Sequence, residues 1–155
     1  MIRVQLSTFR FQAVKRALKV RRSSREILVA ENDSNDLELT LEELARHHLA
    51  GAVAVARDGA EVLDYLYLRG RFASRKEGNP AVILLNPILP KLDGFEVLKQ
   101  VKADAELRNI PVLVFTSSSQ EREMVEKYSM EASGFAVKAV DFDEFVGAVR
   151  DLGLF

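Results

Sequence analysis

The side chains that could carry chemistry in this chain come in small groups, each directly after a short apolar run: Glu31, Asn32 and Asp33; Asn86; Thr116; and Lys138. Carboxylates can ligate a hard cation, and a carboxylate can act as a nucleophile. Asn86 can do neither well, because an amide is neutral, far less nucleophilic and a poor ligand for a hard cation. Taken singly, the other groups have plainer readings. Thr116, with Ser117–Ser119 behind it, would cap the next helix. Lys138 alone would be a surface lysine, and Asp93-Gly94 a turn. His47 and His48 fall late in a helix, where they favour the dipole end, and they are not read as metal ligands or phosphate carriers. The chain has no cysteine, which excludes disulfides, thiolate zinc sites and a cysteine nucleophile.

The elements that would position these groups are legible from residue 26 onward. Ile27–Ala30, Val53–Ala56, Ala81–Leu85, Pro111–Phe115 and Phe135–Val137 read as five short buried strands. Between them lie amphipathic stretches: Asp36 to Ala50 (Leu37, Leu41, Leu44 and Ala45 on one face, Gly51 as stop), Ala60–Leu68 (Val62, Leu63, Leu66), Phe95–Lys102 (Val97, Leu98, Val101) and Gln120–Tyr128. A last helix spans Phe142–Leu152, with Phe145, Val146 and Val149 inward. Arg69–Pro80 is polar and glycine-containing, so it reads as a loop. Alternating strands and helices imply βαβ units and a parallel sheet covered on both faces. Right-handed crossovers make this a doubly wound α/β three-layer sandwich of the flavodoxin-like (βα)5 kind. In such a sheet the functional site lies beyond the carboxyl ends of the strands, where the groups above stand.

The segment from Ile83 to Leu98 resembles the phosphoacceptor motif of response-regulator receiver domains. Pro90, Asp93 and Gly94 stand at matching places, and Asn86 stands where the family has its aspartate. Glu31, Asn32 and Asp33 resemble the acidic, metal-binding end of the first strand. Thr116 looks like the switch hydroxyl, Phe135 like the switch aromatic and Lys138 like the family's lysine. The resemblance covers residues 26–155. It is narrower still with the single-domain regulators paired with bacterial phytochromes, through Asp64–Ala73, Lys138–Asp143 and the ending Arg150–Phe155. The family holds Mg²⁺ between acids and acceptor, and the cation offsets charge on the transferring phosphoryl group. Several departures gather here: Asn86 for the acceptor, Asn32 for an acid, Ala139 for the proline after the lysine, and the unusual Pro87 and Ile88. The resemblance therefore implies a pseudo-receiver with weakened Mg²⁺ binding, partnered by a sensor histidine kinase, and the narrower resemblance points to the phytochrome type. Phe142, Phe145, Val149, Leu152, Leu154 and Phe155 would form a homodimer contact.

Charge is unevenly distributed. Residues 1–25 carry eight basic side chains and no acidic one, leaving 14 basic and 23 acidic groups in residues 26–155, a net of −9. The chain thus divides into a basic arm (1–25) and a receiver domain (26–155). Ile2, Val4 and Leu6 alternate as in a strand, and Phe11, Val14 and Leu18 are spaced as on a helix, so oligomerisation is favoured over nucleic-acid binding for the arm. No apolar run reaches a membrane span, and a cytoplasmic location is expected. Three functions compete: a non-catalytic signalling module acting by protein–protein interaction; a residual phosphoacceptor using Asp33 or Asp93; and a nucleic-acid-associated adaptor using the arm.

Overall fold

The computed structural model describes residues 26–48, 53–76, 78–116, 118–131, 137–145 and 147, with the backbone alone for 128–131 and 137–139. The arm, Ala50, Gly51, Phe135, Val146, Val149, Leu152, Leu154 and Phe155 lie outside the described residues.

Five strands, β1 (Ile27–Ala30), β2 (Val53–Ala56), β3 (Val82–Leu85), β4 (Val112–Phe115) and β5 (Val137–Val140), form one sheet in the order β2-β1-β3-β4-β5. Every pairing is parallel. Among the described residues the α-helices are α1 (Ser34–Arg46), α2 (Gly59–Leu66), α3 (Gly94–Ala103) and α4 (Ser119–Glu131), and residues 142–145 are helical as well. Strand alternation sorts the side chains into two cores. Leu28, Ala30, Ile83, Leu85, Val112 and Val114 pack with Val62, Leu63 and Tyr65 of α2, Val97, Leu98 and Val101 of α3, and Val125 of α4. Ile27, Val29, Val82, Leu84, Leu113 and Val140 pack on the other face with Leu44 of α1 and with Phe145. Each fully buried aliphatic side chain contributes about 1.5–3 kcal/mol, so both faces must be covered for the four-residue strands to hold.

The chain order reverses between β1 and β3: β2 follows β1 on one side, and β3 returns to the other. This switch point opens a crevice at the carboxyl edge of the sheet.

Several boundaries differ from the sequence reading. Helix α1 begins two residues before Asp36, because Asp33 accepts a bond from the Asp36 N–H (2.9 Å) and caps it. It ends at Arg46, and His48 then turns to φ 62°. Its buried residues are Thr40, Glu43 and Leu44, whereas Ala45 is exposed; the inward face is set by the Leu37, Leu41 and Leu44 row, which Ala45 flanks. Helix α2 ends at Leu66, with Leu68 at φ 57°, and residues Gly70–Phe72 form a 3-10 turn inside the expected loop. Strand β5 continues through Val140 rather than ending at Val137. Its ladder to β4 pairs Leu113 with Lys138 and Phe115 with Val140, so backbone pairing carries the strand past the charged residue at which the apolar run stops.

Candidate functional site

Register alone brings Glu31 and Asn86 together. Ala30 pairs with Ala56 on one side and with Leu85 on the other. The ladder runs one step further, from the Glu31 N–H to the Ala56 carbonyl (3.0 Å) and from the Asn86 N–H to the Ala30 carbonyl (3.0 Å). Glu31 and Asn86 therefore emerge side by side from the two central strands.

Their side chains close on each other. Asn86 Nδ2 donates to Glu31 Oε2 at 2.5 Å, and Asn86 Oδ1 accepts from the Ile88 N–H at 2.9 Å. Glu31 is only 5% exposed. Its other oxygen, Oε1, is buried without a hydrogen-bond partner. Burial pushes the Glu31 carboxyl above its ordinary value; the Asn86 bond pulls it partly back, and the acids Asp36 and Asp33 push it up again.

The rest of the rim is built from local caps. Asp33, exposed, spends its side chain on the first turn of α1. Asp58 is 7% exposed; its Oδ1 caps α2 through the Glu61 N–H (2.7 Å), and its Oδ2 faces Lys91 Nζ at 3.3 Å. Asp93 precedes α3 with an exposed carboxylate that makes no capping bond. A Cβ on Gly94 would come within 2.5 Å of the Asn86 carbonyl oxygen and 2.6 Å of Pro87 Cα. Only a residue without a side chain lets α3 begin this close to the Asn86-Pro87 turn.

Arg57, directly after β2, was not singled out from the sequence, although the strand-end rule that picked the other groups points to it equally. Its guanidinium donates to the Asn32 carbonyl (2.9 Å) and to Ser34 Oγ (3.1 Å), tying the β1–α1 loop to β2. Glu61 holds the Arg57 N–H (3.0 Å) and the Arg71 guanidinium (2.5 Å), and Arg71 also bonds the Val55 carbonyl of edge strand β2 (2.6 Å). On the far side of the crevice, both the N–H and the hydroxyl of Thr116 bond the Val140 carbonyl, at 2.9 and 3.3 Å. The serine cap of α4 is Ser118, which accepts from the Glu121 N–H at 3.1 Å. Lys138 lies within β5 rather than after it.

These residues do not fit a divalent cation. Among the described residues no three Asp, Glu, His or Cys side chains converge. Glu31 is the one buried carboxylate of its triplet, and Asn86 turns an N–H donor, not an oxygen, toward it. Asp33 is engaged as a cap, and the Asn32 carbonyl is engaged by Arg57. Glu31 Oε1 is left buried without a hydrogen-bond partner. The contacts that would order this apex around a cation are made here by an amide, a cap and a guanidinium.

A parallel sheet with its reactive crevice between β1 and β3, flanked by a threonine after β4 and a lysine in β5, is the layout of a receiver. Residues 27–150 match the family model of the response regulator receiver domain, and the chain belongs to that family. The structure of bacteriophytochrome response regulator RtBRR is similar, with 50% identity, a TM-score of 0.73 and coverage of 84% of this chain and 79% of that one. The phosphorylated cyanobacterial phytochrome response regulator RcpA matches at 30% identity and a TM-score of 0.66, over 83% and 90% of the two chains. Response regulator Rcp1 of Synechocystis is 29% identical over 129 residues, 83% of this chain and 86% of its own. The chain is thus a receiver-domain response regulator of two-component signalling, related to phytochrome response regulators.

Of the two described aromatics among those expected at a dimer contact, Phe145 is fully buried within the chain, edge-on to Phe115 at 4.9 Å, and a partner could not reach it without opening the core. Phe142 is 47% exposed. Arg122 of α4 is ion-paired to Glu144, which anchors this helical turn. No described helix is long and apolar enough to cross a membrane.

Proposed function

We propose that this receiver signals by occupancy rather than by phosphorylation: it docks on a sensor histidine kinase, of the phytochrome type that its relatives' names point to, and holds a fixed state of the receiver surface. The observation that carries this is the Asn86 amide, at the acceptor place, hydrogen-bonded to Glu31. Aspartyl phosphorylation needs a carboxylate oxygen to attack phosphorus and a cation to offset the charge that develops there. The Asn86 amide supplies no such oxygen, and the donor set around Glu31 suits no divalent cation. The two substitutes weighed from the sequence gain no support, since Asp33 caps α1 and Asp93 is an exposed residue at the start of α3. Phe142 is the exposed aromatic on which a homodimer contact would centre.

Treatment with acetyl phosphate and Mg²⁺, followed by intact mass, tests the reading on wild type and Asn86→Asp. The expected result is no acyl phosphate on wild type and a phosphorylated fraction of the variant. A phosphorylated wild-type chain overturns it. Binding of wild type to the kinase with unchanged affinity in the presence and absence of phosphodonor is the companion result.

A further inference from the structure

We propose that Pro87 is a chemical guard that keeps residue 86 an amide. Asparagine is among the thermolabile side chains of proteins. In an ordinary Asn-Xaa pair the main-chain nitrogen of the following residue attacks the side-chain Cγ. The new C–N bond closes a five-membered imide, the N–H proton is lost, and the amide nitrogen leaves as ammonia. Water then opens the imide at either carbonyl, giving aspartate or isoaspartate; one water is consumed and one ammonia released. At position 86 the aspartate product would be the carboxylate that this receiver lacks, so ageing alone would change the chemistry of the site.

Asn86 is followed by Pro87, whose nitrogen carries no hydrogen and cannot close that ring. The next main-chain N–H, of Ile88, is bonded to Asn86 Oδ1 at 2.9 Å, and attack through it would need a larger ring. Pro87 is itself buried, and its carbonyl accepts from the Gly94 N–H at 2.9 Å, which fixes the turn. Proline at this place therefore removes the nucleophile at the asparagine that stands at the acceptor position. Asn32 and Asn35, by contrast, are each followed by an aspartate whose main-chain nitrogen carries a hydrogen, bonded to Asp33 in the fold in the case of Asp36 and released in the unfolded chain, and they act as internal clocks. The importance of the guard rests on the phosphorylation-silent reading; its chemistry does not.

The test ages wild type, Pro87→Ala and Pro87→Gly at physiological temperature and mildly alkaline pH, folded and in urea, with peptide mapping by mass spectrometry. In wild type, position 86 stays amide in both states while Asn35 accumulates acid in urea. In both variants, acid appears at position 86 in urea and in the folded chain, and the aspartate fraction takes label from acetyl phosphate. The urea arm reads the proline effect even for a variant that folds poorly. Acid at position 86 of wild type at the rate of Asn35, or none in either variant, overturns the proposal. So does a gain confined to urea, because the fold and not Pro87 would then be the guard. Labelling of fresh wild type would refute the silent reading and leave this measurement intact.

Discussion

Asn86 and Glu31 form a donor–acceptor pair between the two central strands, with Nδ2 and Oε2 2.5 Å apart and the carboxylate almost wholly buried. The pair inverts the usual problem of such a crevice. Two carboxylates at this distance repel and need a cation between them; an amide and a carboxylate attract and need none.

Asn86→Asp should therefore destabilise the chain in chelator by about 1–3 kcal/mol, the cost of leaving a buried polar group unpaired. Mg²⁺ should return much of that loss, since a ligand that binds only the folded state stabilises it by mass action. Wild type should melt at the same temperature with and without Mg²⁺. Thermal melts across a Mg²⁺ titration check this; an equal upward shift in wild type would show that Asn86 does not replace the cation.

Glu31 gives a pH signature of known sign. Burial raises its folded pKa above the ordinary glutamate value of 4.5. The folded chain thus holds a proton that the unfolded chain has released, and this contribution is full at acid pH and fades as pH rises through the raised value. Glu31→Gln should remove that decline and gain on wild type as pH approaches neutrality. Urea midpoints between pH 4 and 7.5 read it; parallel curves for the two proteins would place the titration elsewhere.

Sheet and site were legible to different degrees. Strand β4 begins at Val112 rather than Pro111, whereas the four-residue apolar runs of β1 and β2 give their limits directly, because polar residues mark where each run ends. Strand β5 was misjudged for the same reason: Lys138 breaks the run, and only its ladder partner Leu113 tells that the strand continues. Asn86 and Glu31 could be found by the strand-end rule, but their mutual bond depends on register, which the sequence does not print. Arg57 was missed because an arginine after a strand reads as solvated, and its partners lie 23 and 25 residues away in the chain.

Gly94→Ala tests how tightly the site turn is packed. The added Cβ meets backbone, the Asn86 carbonyl at 2.5 Å and Pro87 at 2.6 Å, so no side chain can swing aside. Overpacking of this kind costs about 1–3 kcal/mol. The displaced backbone belongs to Asn86 itself, so its side-chain amide resonances should shift more than those of Asn109, in the loop after α3. Unchanged Asn86 resonances in a destabilised variant would separate the packing of α3 from the geometry of the site.

Lys102, in the last turn of α3, is 2% exposed and donates Nζ to the carbonyls of Arg108 (2.8 Å) and Ile110 (3.0 Å), pinning the loop that leads into β4. Burial lowers its pKa from 10.5 to about 7. Between those values the unfolded chain binds a proton that the folded chain does not, so stability should rise with pH across that window. Lys102→Met keeps the apolar stem and strands two carbonyls, which costs about 1–3 kcal/mol where the lysine is neutral. The deficit should therefore shrink as pH falls from 10.5 to about 7 and stay small below it, where wild type must bury a charge that methionine lacks. Denaturant midpoints from pH 6 to 10 for the two proteins measure this directly: a constant gap across the range would mean that Lys102 stays protonated in the fold.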